Sequence, residues 1–246
     1  MRVPKPAAKR IAVDDIAVAV APGIAPCQNA TMRPTIVFDL DGTLVDTLPD
    51  LLASLNRVTN DDYTLAEVRP WIGDGAMALV RRALAARGRL ATEADLRTLM
   101  ADYVEAMSDQ SAPYPGAAEA LDMLAAAGWR IAVCTNKPEA PARDLLAAAG
   151  LLRHIVAVGG GDSFSTRKPD PAHLRATLAA AGGDASAAIM VGDHQNDILA
   201  ANGAGVPAIF AAWGYGDDAT GAVATTISFC ELTAVAHGVM GGARVG

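Results

Sequence analysis

Four short apolar runs, Thr35 to Phe38, Ile131 to Cys134, Ile155 to Val158 and Ile189 to Val191, each give way to a helical pattern. That alternation constrains the fold more than any other feature of the chain. Short runs without polar alternation suit strands buried on both faces, and strands alternating with helices build a parallel sheet covered on both sides. The expected fold is therefore α/β, with a doubly wound, Rossmann-like parallel-sheet core. Pro138 to Ala149 predicts a helix stopped by Gly150, and Pro171 to Ala181 predicts one stopped by Gly182-Gly183. Ala208 to Ala211 and Thr225 to Ser228 predict further strands, and Ser228 with Glu231 predicts a capping box on a last short helix.

Between the first strand and a helix at Ala117 the pattern is helical throughout. Leu51, Leu52, Leu55 and Val58 fall at helical spacing within Leu48 to Asn60, and Thr64 with Glu67 forms a second capping box. Ala76 to Ala86 and Thr92 to Met107 continue the helical series, the latter as the longest amphipathic stretch. The expected organisation is an extension without structure over residues 1–32, an α/β core over 33–46 and 114–246, and an inserted, small all-helical cap domain over 47–113. Its boundaries at Thr47 and at Pro113-Tyr114-Pro115-Gly116 give two chain crossings suited to a hinge.

Composition matters here for what it excludes. With 52% hydrophobic residues in 246, the chain can bury a substantial core. Its 20 Lys and Arg against 27 Asp and Glu give a net charge of -7, which predicts neither a nucleic-acid partner nor an anionic membrane surface. The three cysteines, Cys27, Cys134 and Cys230, match no disulfide framework or zinc pattern, so a reducing cytoplasm is expected, with the protein a monomer or homodimer. No apolar run reaches the ~20 residues a spanning helix needs. Basic residues before Ile16 to Ala21 mimic a signal peptide, but Asp14 and Asp15 interrupt the apolar region, so a disordered extension is expected, with Met32 as an alternative start of translation.

Phe38-Asp39-Leu40-Asp41-Gly42-Thr43-Leu44 places two carboxylates at the end of a buried strand. At ~4 Å and an effective dielectric of ~20 two such charges repel by roughly 4 kcal/mol, so the fold must supply positive charge or use the strain. Taken alone, the string fits a strand-ending turn equally well. The other strand ends shift that balance. Thr135-Asn136-Lys137-Pro138 follows the second strand, a glycine loop leading to Arg167-Lys168-Pro169-Asp170 follows the third, and Gly192-Asp193 with Asp197 follows the fourth. Carboxyl ends of parallel strands share one edge, so a hydroxyl, an ammonium and several carboxylates converge there.

These motifs resemble the haloacid dehalogenase superfamily, and in particular its bacterial phosphoglycolate phosphatases, from about Thr35 to Gly216. Trp71-Ile72-Gly73-Asp74-Gly75-Ala76, Gly160-Gly161-Asp162-Ser163 and Gly214-Tyr215-Gly216 carry the narrower likeness. The resemblance implies Asp39 as nucleophile, Asp41 as general acid and base, Thr135 and Lys168 as phosphate binders, and Asp193 as a metal ligand. A carboxylate can attack phosphorus to form an acyl phosphate, and a second acid can protonate the leaving alkoxide and then deprotonate water. A hard divalent cation held by the Asp39 and Asp193 carboxylates and the Asp41 main-chain carbonyl suits magnesium. The expected substrate is a small phosphate ester, 2-phosphoglycolate above others, whose carboxylate would meet main-chain N–H groups at Gly73 to Gly75. Asp74 belongs to that stretch but must point away from an anion.

Some residues keep two readings. Asp197 either binds metal or orients Lys168, with the second preferred, and Asn136 either holds substrate or caps the next helix. His194 is expected to face solvent, as are His154, His173, His237, Arg81 and Arg82, while Cys134 is expected inside its strand. Gly203 to Ala208 fits a dinucleotide-binding glycine pattern but follows a helix and precedes a strand, which rules it out, and no Walker-type phosphate loop is present. A dehalogenase needs neither Asp41 nor Asp193. A sugar phosphomutase, a phosphatase acting on a sugar or amino-sugar phosphate such as N-acetylmuramate 6-phosphate, and a catalytically silent phosphate-binding protein remain as alternatives.

Overall fold

The computed structural model describes residues 32–106 and 110–242. The expected extension, apart from Met32, and the reading of its first residues lie outside them. β1 (Thr35–Phe38), β4 (Arg130–Cys134), β5 (Ile155–Gly159), β6 (Ala188–Gly192), β7 (Ala208–Ala211) and β8 (Ala224–Thr226) form one sheet in the order β5-β4-β1-β6-β7-β8. All neighbouring strands in this sheet run parallel. The chain runs outward from β1 to β4 and β5, then returns to the other side of β1 for β6, β7 and β8. The order therefore reverses at β1, and that is where an open α/β sheet forms a crevice beyond its strand ends.

The alternation of side chains along β1 decides what each face buries. Ile36 and Phe38 join Leu121 of α5 (Ala117–Ala126), Leu145 of α6 (Glu139–Ala148) and Leu232 of α9 (Phe229–Gly242). Val37 points the other way, into a cluster with Leu178 of α7 (Pro171–Ala180) and Ile198 of α8 (Gln195–Ala204). Ile36, Val37 and Phe38 are fully buried, each contributing roughly 1.5–3 kcal/mol. The strand that presents Asp39 is thus held from both sides.

The helical stretch comprises α1 (Leu48–Thr59), α2 (Leu65–Val68), α3 (Ala76–Ala86) and α4 (Glu93–Ala106). Its helices bury Leu55, Val68, Val80 and Leu99 in a cluster of their own, which Tyr215 joins. The Thr64–Glu67 capping box forms as expected, and Asn60 closes α1 in the left-handed conformation. Both chain crossings carry two-residue strands, β2 (Val45–Asp46) and β3 (Ala112–Pro113), paired antiparallel. So short a strand has no periodicity to read, and the sequence gives no sign of this ribbon.

Two expectations at the carboxyl-terminal end need correcting. α9 has 14 residues and is not short, and β8 stops at Thr226, leaving Ile227 70% exposed. The Glu231 carboxylate reaches the Ile227 amide at 3.4 Å, one residue before the position a Ser228 capping box uses. Among the described residues no helix is long and apolar enough to cross a membrane.

Candidate active site

The site begins where β1 ends. The Asp39 amide donates to Val191 of β6 at 2.9 Å, which fixes the backbone, and the Asp39 carboxylate accepts from the Leu40 amide at 2.7 Å. Lys168, on the loop between β5 and α7, brings its ammonium to 2.8 Å from Asp39 and 2.6 Å from Asp197. Lys168 is itself buried. Burial works against its charge, but Asp197 and Asp39 outweigh that and hold it protonated, well above the ordinary lysine range. Burial pushes the Asp39 carboxyl up to about 6 against the opposing pull of Lys168, which leaves it largely ionised at neutral pH.

Asp193 leaves β6 beside this pair. Its two oxygens accept from the Thr43 hydroxyl at 2.8 Å and the Tyr215 amide at 2.7 Å. Burial, followed by the charge of Asp39, raises its pKa to about 6. Gly42 is required here, because at φ +83° any side chain is strained and a Cβ would lie 2.4 Å from the Asp193 carboxylate. Asp39, Asp193 and Asp197 can each bring one oxygen within 4.8 Å of the others. Lys168 pairs with Asp39 and Asp197 but not with Asp193, whose partners are neutral, so three buried carboxylates face one ammonium and the residues present fit a divalent cation. Asp197 has both oxygens engaged, one by Lys168 and the other by the His194 amide at 3.0 Å, whereas the Asp41 carboxylate turns toward Lys137 at 3.1 Å.

Asp39 and Asp41 open into a cavity of about 70 Å³ between the sheet edge and the helical stretch. Thr135, Asn136 and Lys137 line it from the end of β4, and Gly73, Gly75 and Ala76 line it from the start of α3. Asp74 does not reach it. The Asp74 carboxylate accepts from Arg82 and, at 2.7 Å, from Asn196, and although burial opposes this, those partners hold its pKa below the usual range. Asp74, grouped with Gly73 and Gly75 in the expected binding stretch, thus points away from the cavity as an anion there requires.

Other side chains behave differently from expectation. Asn136 does not cap α6, whose N-cap is Pro138; its amide donates to Gly73 O at 3.0 Å and Lys168 O at 3.1 Å, tying the helical stretch to the core. His194 does not face solvent: it caps α8 in a capping box with Asp197, and its ring occupies the space a Cβ on Gly73 would need. His173 is fully buried, accepting from the Lys168 amide at 3.2 Å with its other ring nitrogen 3.1 Å from Gly160 O. His154 is half-buried against Asp122, while His237, Arg81 and Arg82 are exposed. Cys134 is buried in its strand, its thiol pushed up to about 12 by burial.

Lys137 and Tyr103 escaped the sequence reading. Lys137 stands inside the Thr135 to Pro138 motif, a signal that could have drawn attention to it. Tyr103 gives no such signal, since an aromatic residue on the apolar face of a helix reads as core.

A doubly wound sheet with an aspartate at its switch point, a second two residues on, and a buried lysine and aspartate from later strand ends defines a class. The haloacid dehalogenase-like hydrolase family model matches residues 36–211, and the chain belongs to that family. Within it, the chain is 45% identical over 193 residues to the phosphoglycolate phosphatase of Mesorhizobium japonicum, covering 75% of this chain and 85% of that one. It is also 45% identical over 199 residues to that of Agrobacterium fabrum, covering 76% and 83%. The crystal structure of a predicted phosphoglycolate phosphatase from Haemophilus somnus superposes with a TM-score of 0.77 at 32% identity, covering 84% of this chain and 99% of that one. CbbY from Rhodobacter sphaeroides in complex with phosphate gives 0.71 at 25% identity, covering 82% and 96%.

Proposed function

We propose that the chain hydrolyses 2-phosphoglycolate to glycolate and phosphate through an aspartyl-phosphate on Asp39. The observation that carries this reading is the buried Asp39 carboxyl group, 2.8 Å from the Lys168 ammonium at the switch point of the sheet, with Asp41 beside it on the cavity. The relatives named phosphoglycolate phosphatase support the substrate.

In this mechanism an Asp39 oxygen attacks phosphorus in line as the ester P–O bond breaks, and Asp41 gives its proton to the departing alkoxide. Lys168 and the Thr135 hydroxyl bind the phosphoryl oxygens. Asp41, now a carboxylate, takes a proton from water as that water attacks phosphorus, which releases phosphate and restores Asp39. Asp197 holds Lys168 in place. Asp39, Asp193 and the Asp41 main-chain carbonyl would hold Mg²⁺, which when bound neutralises charge on the transferring phosphoryl group. The helical stretch over residues 47–113 acts as a cap that excludes water from the cavity, and the first turn of α3 offers main-chain N–H groups to the glycolate carboxylate.

The test is phosphate release from a panel of small esters, including 2-phosphoglycolate and hexose phosphates, with magnesium and with chelator. The expected result is metal-dependent turnover that favours 2-phosphoglycolate, is abolished in Asp39→Asn, and passes through a phosphoenzyme trapped by rapid quench. Equal rates on every ester would overturn the substrate, and an active enzyme without the trapped adduct would overturn the mechanism.

A further inference from the structure

We infer that Lys137 and Tyr103 determine specificity: together they read a carboxylate on the carbon next to the ester oxygen, which restricts efficient turnover to phosphate esters of 2-hydroxy acids. This rests on the phosphatase reading above and adds two side chains to the main-chain N–H groups of α3 in its leaving-group recognition. Lys137 follows β4 in the core, and Tyr103 comes from α4 in the helical stretch.

Three observations combine. First, Lys137 is the cation that lines the cavity among the described residues, because Lys168 is enclosed by Asp39 and Asp197. Leu51, Ile72, Leu79 and Met100 make much of the remaining lining apolar, and a carboxylate entering such a space must meet a positive partner. Second, the Lys137 ammonium bonds to Asp41 at 3.1 Å and to the Tyr103 hydroxyl at 2.8 Å. That accounts for two of the three donors an ammonium carries, and a tyrosine oxygen that accepts from lysine keeps its own O–H to donate. Lys137 is 8% exposed and lies 4.3 Å from the Tyr103 ring centroid, so the pair is held in place before substrate arrives. Third, Asp41 serves the leaving oxygen, and Lys137 is bound to Asp41. The carboxylate of a 2-hydroxy acid lies one carbon from that oxygen, within reach of the same ammonium.

The experiment compares kcat/KM for 2-phosphoglycolate with that for ethyl phosphate, which keeps the carbon chain and lacks the carboxylate. In the unmodified chain the ratio is expected to exceed about a hundred-fold, because a site built around a substrate's polar group strongly rejects the analogue lacking it. Lys137→Met should lower that ratio at least ~ten-fold, mainly through KM for 2-phosphoglycolate, even if its contact with Asp41 slows both esters. Equal losses on both esters would overturn the inference, since Lys137 would then act through Asp41 alone. Tyr103→Phe, which keeps the ring in the apolar cluster, should lower the ratio by roughly three-fold as one neutral hydrogen bond is lost. If Lys137→Met does not fold, an unchanged ratio in Tyr103→Phe overturns the proposal. An unmodified chain with no turnover of either ester in magnesium would strike the phosphatase reading itself, whereas turnover of both at equal rates would leave that reading standing and remove this one.

Discussion

The Lys168 ammonium lies 2.8 Å from the Asp39 carboxylate, and both side chains are buried, although 129 positions separate them in sequence. Burial alone would favour the neutral form of each. Together with Asp197 they remain charged, and that charged arrangement is what a phosphoryl group would meet.

Removing the ammonium strands two carboxylates. Lys168→Met is expected to reduce kcat by ~10²–10³-fold, the scale for losing a preorganised electrostatic donor. It should also destabilise the fold by roughly 3 kcal/mol, because breaking a buried ion pair from one side leaves uncompensated charge. Asp197→Asn, which keeps the shape and one acceptor, should cost less on both counts. Urea unfolding alongside steady-state kinetics on all three proteins checks the order.

Magnesium should stabilise the folded chain. If Asp39 and Asp193 hold the ion, magnesium at about a hundred times its Kd adds about 2.7 kcal/mol and raises Tm accordingly. Asp193→Asn should abolish most of that rise. A shift of equal size in Asp193→Asn would place the ion elsewhere.

His173 makes stability pH-dependent. Burial, reinforced by the nearby Lys168 charge, lowers its pKa from the ordinary 6.5 to about 4, so the ring is neutral in the folded protein. Its contribution is therefore full above pH 6.5 and is lost as pH falls from 6.5 toward 4, by roughly 3 kcal/mol in all at about 1.4 kcal/mol per pH unit. Asp39 and Asp193, with pKa values raised to about 6, act with the opposite sign, so the measurement is made with magnesium present to hold them ionised. His173→Gln should be less stable at pH 7 and should lose less stability than the unmodified chain between pH 6.5 and 4. Parallel curves would exclude His173 as the titrating group.

Asn136 spans the seam between core and helical stretch through Gly73 O and Lys168 O. Asn136→Ala is expected to lower global stability by about 1–2 kcal/mol, the worth of two such hydrogen bonds. It should raise KM by ~ten-fold, since loss of the tie to Gly73 loosens the start of α3 over the cavity. Kinetics with 2-phosphoglycolate checks both KM and whether kcat falls with it.

Much of this protein follows from local pattern. Continuous apolar runs identified the parallel strands to within one or two residues, and Ala76 to Ala86 was legible as a helix from end to end, because strands and helices bury faces whose periods are written in neighbouring residues. Asp39, Thr135, Lys168 and Asp193 were legible for a related reason: each follows a strand, and parallel strands end on one edge whatever their order. The sequence did not disclose that Asp74 turns to Arg82 and Asn196, that His173 is enclosed, or that Tyr103 meets Lys137. Those outcomes depend on how the helical stretch seats over the sheet. Contacts between residues far apart in the chain are chosen by packing and charge complementarity in three dimensions, which no run of neighbouring residues encodes.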